Sequence, residues 1–399
     1  MEKHKTKDDL ELSSFISEID SDNPPHIEFT SDCGYQPRYY QINAVLNFNA
    51  YIKAGFRRIL CVSPTGTGKT LISKLLATSV DIRNSLGLGH KKKIRVLFVA
   101  DDVILLEEAK KEFEDVSDTV ELITQSAYSK IPQKVLDDGW DITFMDEAHH
   151  EAMSSMQKIL EYVGDRALFG LTATPNRGDG LLLKFERFVY LITKIEAIRR
   201  KFIATPTFYS ISDTSGKDKV NFTIDFIENN GDLIGNTLIY FLTVGECERF
   251  YEWAISRGHS AYLLKNKDEA EDIKERFSKG EFKFLINCKM LGEGVDIKNC
   301  SYTILARRFE SAAEKEQYIG RTIRSDSPCF VFEFILPLEK NVLGTDLFPL
   351  YHKNVLIHKR YGKWSRELIH SMEPSEIYTL DNFKNKDNAD GEIEAYATA

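Results

Sequence analysis

Nowhere in the chain do about 18 apolar residues run together, the length a helix needs to cross a bilayer. The opening, MEKHKTKDDLELSSF, has no apolar core of a secretory signal. These absences argue against a helical membrane protein and a secreted one, so the expected location is intracellular: cytoplasmic, or the host cytoplasm if the chain is phage-encoded. Cysteine is sparse and unpatterned. The six (Cys33, Cys61, Cys247, Cys288, Cys300 and Cys329) show no CxxC spacing, which argues against a zinc ribbon or a disulfide framework and fits reduced, mostly buried thiols. Positive charge is also short, with 52 Lys and Arg against 61 Asp and Glu, a net charge of -9. That balance argues against a generally basic coat for nucleic acid, although a local groove can hold a strand while the outer faces stay acidic. No short-period repeat is visible.

What is present is an ordinary globular composition, 42% hydrophobic and 28% charged over 399 residues, enough for two domains with sizeable cores. Residues 1–25 are polar and acidic and end in Asn23-Pro24-Pro25, which predicts a flexible leader. From 26 to 205, the β-rich runs RRILCVSP, IRVLFVA, DITFMDE and ALFGLTA alternate with helical stretches starting at Thr70, at Val103 and near Met153. That alternation is the pattern of a parallel sheet covered by helices. After a variable polar patch, ISDTSGKDKVN, the pattern restarts over 206–366 with NTLIYFL, HSAYLLK, FKFLINC, SYTILAR and CFVFEFIL, and with charged helical stretches such as KDEAEDIKERFSKG. Two α/β lobes are implied. Residues 367–399 turn acidic and weakly hydrophobic, and a mobile tail is expected there.

Two motifs carry chemistry without help from any relative. SPTGTGKT (63–70) fits GxxxxGK[ST] with Ser63 in place of the first glycine. Gly66 and Gly68 let the backbone curl around phosphates, Lys69 reaches the outer phosphates, and the Thr70 hydroxyl suits magnesium. Thr65 and Thr67 complete the nucleotide loop. In DEAHH, Asp146 and Glu147 end a strand and divide the work: Asp146 holds the magnesium through its water shell, and Glu147 orients and deprotonates the attacking water. His149 and His150 are not read as a zinc site, because adjacent histidines point in different directions and no third ligand is apparent. ATP and Mg2+ are the expected ligands.

With these motifs the chain resembles the superfamily two helicases of the DEAH or DExH kind, over roughly residues 36–324. That resemblance implies two tandem RecA-like domains with an ATP cleft between them. In PRYYQ, Gln41 would bond the adenine edge and Arg38 would brace the nucleotide. In LTATP (171–175), Thr172 and Thr174, with His149, would couple the acidic pair to movement of the lobes. TLIYF resembles the opening motif of the second lobe, and MLGEGVDI (290–297) the one whose Gly294 and Asp296 face nucleotide. QYIGRTIR matches QxxGRxxR: Gln317 with Arg321 and Arg324, the last two implied to be arginine fingers that stabilise charge on the transferred phosphoryl group. ATPNRGDG, LLLKFERFVY and LGEGVDI are similar to the subgroup of restriction motor subunits, XPB repair helicases and phage branch-migration helicases such as UvsW. That leans the expected partner toward DNA, duplex or branched, with a protein partner left open and a monomer sufficient. The chain departs from that subgroup in ADDVILLEEA, where Asp102 and Glu108 replace the usual arginine and glutamine, and at Gly292, where relatives carry threonine.

Contacts to nucleic acid are expected on the sugar-phosphate backbone. Thr124, Gln125 and Ser126 in ITQSAY resemble a strand-contacting motif. KNVLIHKRYGKWSR (353–366) sets Lys359 and Arg360 beside Trp364, cations next to an aromatic that suit a single strand. The expected function is a DNA helicase or translocase for repair, recombination or branch migration. An RNA helicase with the same engine, and a nucleotide-gated clamp, remain alternatives at this point.

Overall fold

The structure, a computed structural model, describes residues 25–32, 34, 36–100, 103–150, 154–173, 183–204, 206–213, 218–266, 269–288, 297, 300–309, 315, 318–319, 328–335, 353–360 and 363–371. It divides into two compact units, one up to Thr193 and one from Lys194. The division falls ahead of the expected 205/206. The expected leader, residues 1–25, lies outside the described residues except for Pro25.

The first unit is built on strands β1 (Arg58–Val62), β2 (Ile94–Ala100), β3 (Val120–Ser126), β4 (Ile142–Met145), β5 (Ala167–Thr172) and β6 (Arg187–Tyr190). Their order is β3-β2-β4-β5-β1-β6, and every neighbouring pair is parallel. Runs such as LCV, VLFVA and ALFGLT are apolar without alternation because helices cover both faces of the sheet. On one face Phe48, from the Tyr39–Lys53 helix, meets Phe169 edge-on at 5.0 Å, and Phe144 meets Phe169 at 5.6 Å. On the other, Leu60, Leu97, Val99 and Met145 pack with Met156, Ile159 and Val163 of the Ser154–Val163 helix.

Gly170 of β5 is required by this packing. A Cβ there would meet Phe185 Cζ at 2.5 Å and Leu60 Cδ1 at 2.7 Å. Gly170→Ala is accordingly expected to destabilise the first unit by about 1–3 kcal/mol through overpacking. A thermal melt checks this, and an unchanged midpoint would mean that the layer yields freely.

The second unit holds β7 (Pro206–Asp213), β8 (Thr237–Phe241), β9 (Ala261–Leu264), β10 (Phe284–Asn287), β11 (Tyr302–Ala306), β12 (Cys329–Ile335), β13 (Lys353–Arg360) and β14 (Lys363–Ser371). They form one 8-stranded sheet in the order β14-β13-β7-β12-β11-β8-β10-β9. All pairs are parallel except the β13–β14 hairpin. Strands β8 to β12 fall in the apolar runs expected from sequence. Three strands correct the expectation. The polar patch beginning at Ile211 first completes β7, whose Phe208 and Ile211 are buried. The basic stretch 353–366 is a hairpin with Ile357 buried, and β14 carries the domain through Ser371, so the tail does not begin at 367. Residues 372–399 lie outside the described residues.

The Lys219–Asn230 helix is capped by Asp218, whose carboxylate accepts the Asn221 N–H at 3.0 Å and pairs with Arg249 at 3.0 Å. Partial burial pushes this carboxyl upward, but the Asn221 amide and the Arg249 guanidinium prevail and hold it below its usual range. A carboxyl lowered on folding adds stability that is present above its unfolded pKa and is lost as pH falls through its folded pKa. Asp218→Ala is expected to cost about 1 kcal/mol at neutral pH. In urea titrations the difference from wild type should vanish on strong acidification; a gap that persists there would contradict an ionic cap.

Candidate nucleotide site

Parallel strands deliver their C-terminal ends to one edge, and β1, β5 and β4 lie side by side. The loop after β1, the acidic pair after β4 and Thr172 at the end of β5 are therefore gathered by topology. The Ser63 N–H donates to the Thr172 carbonyl at 2.9 Å, extending the β1–β5 ladder by one bond.

Gly66 and Gly68 have φ of 83° and 80°, the left-handed region that a glycine enters without penalty. Gly68 precedes the Lys69–Thr78 helix, whose first N–H groups have no intrahelical acceptor and point toward the loop, an anion site by construction. Ser63, standing where the pattern has glycine, shares a 2.6 Å hydrogen bond with the Thr67 hydroxyl, which also donates to the Pro64 carbonyl at 2.6 Å. The hydroxyl of Thr67 is thus engaged inside the loop, and the Thr67 N–H also donates to the Pro64 carbonyl at 3.4 Å. Thr65 and Thr70 are half-buried on the rim.

Behind the loop stands Tyr40, fully buried, which sequence reasoning did not single out. Its hydroxyl donates to the Thr67 carbonyl at 2.8 Å and accepts from Arg38 Nη1 at 3.3 Å. Gln41 Nε2 donates to the same carbonyl at 3.3 Å, and Gln41 Oε1 accepts the Arg38 N–H at 2.9 Å. By valence the Gln41 carboxamide keeps one further hydrogen and one further lone pair, the pair an adenine edge requires. The only sequence signal for Tyr40 was its place beside Gln41.

Glu147 has a φ of 44°, unusual for a residue with a side chain. Its N–H donates to Asp146 Oδ1 at 2.9 Å, and its carboxylate lies 3.9 Å from Lys69 Nζ and 3.3 Å from His149 Nδ1. His149 Nδ1 is also 3.2 Å from the Thr172 hydroxyl. The structure therefore brings together Lys69, Asp146, Glu147, His149 and Thr172, all mostly buried, on the edge where the loop opens. Beneath them, burial and the nearby Asp146 push the Cys61 thiol up to about 12 despite Lys69, so it stays a neutral part of the core.

The donors fit a magnesium ion bound with a nucleotide. Thr70 and Asp146 offer hard oxygens, and magnesium commonly takes only one or two protein ligands, completing its shell with water and phosphate. Among the described residues there is no group of three or more His, Cys, Asp or Glu able to hold a metal without a nucleotide.

Other expected site residues fare differently. Thr174, Gly294, Asp296, Gln317, Arg321 and Arg324 lie outside the described residues. Thr124, Gln125 and Ser126 are strand β3 and not a polar loop. The buried Gln125 amide donates to the Ser126 and Ser129 carbonyls at 2.7 and 2.9 Å, closing its own turn. Lys359 is ion-paired with Asp225. Trp364 stacks on Phe222 at 6.0 Å and meets Phe226 edge-on at 5.8 Å, so its ring serves the domain core and is not set out for a base. Arg360 lies in β13. Alternating cations and aromatics are equally the signature of an edge hairpin, which is why the patch misled. Among the described residues no helix is long and apolar enough to cross a membrane.

Comparison with known proteins places this geometry. Residues 34–177 match the family model described as the res subunit of type III restriction enzymes, and residues 218–326 match that of the helicase conserved C-terminal domain. The chain is similar to the type I restriction enzyme EcoAI endonuclease subunit of Escherichia coli, 24% identical over 373 residues, covering 73% of this chain and 45% of the relative. It is likewise similar to a Saccharomyces cerevisiae protein with the provisional name ATP-dependent helicase IRC3, 24% identical over 353 residues and covering 75% and 51%. The chain thus spans about half the length of these curated relatives. The solved structure of the ATP-dependent type ISP restriction-modification enzyme LlaBIII bound to DNA shares the fold, with a TM-score of 0.55 at 15% identity over 77% of this chain and 28% of that one. Phosphate loop, acidic pair and the order of both matched domains lead to one assignment: the chain belongs to the superfamily two helicases, with two RecA-like units.

Proposed function

We propose that this chain hydrolyses ATP to move along or remodel DNA, in repair, recombination or branch migration. The observation that carries the reading is the convergence of Lys69, Asp146, Glu147, His149 and Thr172 on the edge beside the phosphate loop. Lys69 and the loop amides bind the phosphates, Gln41 takes the base edge while Arg38 braces the nucleotide, and Glu147 accepts a proton from the attacking water. Thr70 and Asp146 would hold magnesium, which when bound neutralises charge on the phosphates. His149, bridging Glu147 and Thr172, ties the base to the strand that leads toward Thr174. The family resemblance implies that Arg321 and Arg324, with Gln317, would be the planar donors that stabilise the phosphoryl group, and that Gly294 and Asp296 would face the nucleotide.

The preference for DNA is supported by the restriction-subunit model over the first unit and by the restriction-enzyme relative of Escherichia coli. Because Gln125 and Trp364 are engaged internally, grip on the strand falls to backbone amides and hydroxyls, and binding is independent of sequence. The test is ATPase activity with duplex, forked and four-way-junction DNA, an R-loop, and single-stranded RNA. Stimulation by DNA, strongest with branched forms, is expected. Stimulation by RNA alone would overturn the DNA assignment, and stimulation by none would overturn the motor.

A further inference from the structure

The hydrogen bonds behind the phosphate loop converge on one atom, the Thr67 carbonyl oxygen. It accepts from the Tyr40 hydroxyl at 2.8 Å and from Gln41 Nε2 at 3.3 Å, and both donor residues are buried. Both stand in the first turn of the Tyr39–Lys53 helix. That turn is itself fixed, because Gln41 Oε1 accepts the Arg38 N–H at 2.9 Å and Arg38 Nη1 donates to the Tyr40 hydroxyl at 3.3 Å. Burial pushes the Tyr40 phenol upward against the influence of Arg38, so the hydroxyl keeps its proton and remains a donor.

Filling space does not require that hydroxyl: a phenylalanine has the same ring, and Gln41 would still serve the carbonyl. What the second donor adds is direction. The peptide joining Thr67 to Gly68 is planar and trans, so its C=O and N–H point in opposite senses. Holding the Thr67 oxygen back against Tyr40 and Gln41 therefore turns the Gly68 N–H the other way. Exposure runs in the same sense, since Thr67 is buried and Gly68 is exposed. The preceding amide is turned elsewhere, the Thr67 N–H donating to the Pro64 carbonyl at 3.4 Å. At Gly68, φ of 80° and ψ of 50° carry the chain into the Lys69–Thr78 helix, and a Cβ there would stand 3.1 Å from Gln41 Nε2. The Gly68 amide thus joins the first N–H groups of that helix, which lack intrahelical acceptors.

We propose that Tyr40, together with Gln41, is a positioning residue for the phosphate loop: the two donors clamp the Thr67 carbonyl so that the Gly68 N–H is aimed at a phosphate of the bound nucleotide. This rests on the reading of the loop as a phosphate site. Tyr40 touches no ligand; it acts through the Thr67–Gly68 peptide. Gln41 serves at both ends, because the carboxamide that steadies this peptide keeps a hydrogen and a lone pair for the base edge.

The test titrates ATP, tripolyphosphate and adenosine into the full chain and into its Tyr40→Phe, Gln41→Ala and Lys69→Ala variants by calorimetry, with melting measured without ligand. Tyr40→Phe is expected to weaken ATP and tripolyphosphate by about 5- to 30-fold, part of what a charge-assisted hydrogen bond contributes, and to keep adenosine within about twofold. Gln41→Ala should weaken all three. Its loss on tripolyphosphate, about 2- to 10-fold, reads the clamp alone because that probe has no base, and it decides the matter if Tyr40→Phe does not fold. If Lys69→Ala weakens tripolyphosphate while the folded Tyr40→Phe and Gln41→Ala proteins bind it like wild type, the clamp is overturned and the phosphate-site reading stands. If Lys69→Ala leaves tripolyphosphate binding intact, both fall. A tyrosine that is only structural would lower melting and weaken adenosine as much as tripolyphosphate, and that result also overturns the proposal.

Discussion

Replacing Glu147 with Gln is expected to lower kcat for ATP hydrolysis by roughly 10²- to 10⁴-fold while nucleotide still binds. The carboxylate is mostly buried, 3.9 Å from Lys69 and 3.3 Å from His149, on a backbone with φ of 44°. That φ places it in a region that costs a non-glycine residue on the order of 1–3 kcal/mol and persists only where the surroundings impose it. A glutamine has the same size and remains able to hydrogen-bond His149, but its amide cannot take a proton from water at neutral pH. The defect should therefore appear in turnover and not in assembly. Lys69→Ala removes the phosphate cation itself, so it should weaken binding as well. Single-turnover hydrolysis together with binding of a fluorescent ATP analogue separates the two, and a Glu147→Gln protein within threefold of wild-type kcat would remove Glu147 from the role of base.

Those residues were legible in the sequence because the chemistry constrains spacing and type together. A glycine-rich turn between a strand and a helix, and two carboxylates closing another strand, leave few alternatives. Strands β1, β2, β4 and β5 were legible for a related reason, since only a sheet covered on both faces makes unbroken apolar runs. Strand β3 was not, because at the edge of the sheet most of it is only partly buried and its TQS end resembles a loop. The hairpin β13–β14 escaped for the opposite reason. Its cations and tryptophan imitate a binding surface, and only the tertiary partners Asp225, Phe222 and Phe226 reveal an edge. Tyr40 and Lys74 share one cause of invisibility: each matters through a partner distant in sequence, at Thr67 for the first and at Glu112 and Asp115 for the second.

Lys74 supports the second large effect, and the asymmetry of its ion triad sets its sign. It lies on the Lys69–Thr78 helix behind the phosphate loop, its side chain 2% exposed, with Glu112 at 3.1 Å and Asp115 at 2.8 Å, whose own side chains are 29% and 44% exposed. Burial pulls the ammonium down, yet its hydrogen bonds to the Asp115 and Glu112 carboxylates prevail and hold it above its ordinary range. Removing the lysine leaves two carboxylates that water can still reach, so Lys74→Met is expected to cost about 0–1 kcal/mol. Removing both carboxylates takes two charged hydrogen-bonding partners from a buried ammonium. Glu112→Ala/Asp115→Ala is therefore expected to cost about 3–5 kcal/mol, a fall in melting temperature on the order of 10 °C. The pH dependence should reverse too. In wild type the raised lysine adds stability that is fully present below its unfolded pKa and is lost as pH rises through the folded one. In the double variant those two hydrogen bonds are gone while burial still pulls the ammonium down, so stability should rise as pH climbs from neutral toward 10. Thermal melts of both variants at neutral and alkaline pH decide it: equal losses at neutral pH, or a double variant that weakens further on alkalinisation, would show that the ammonium is not held by these carboxylates.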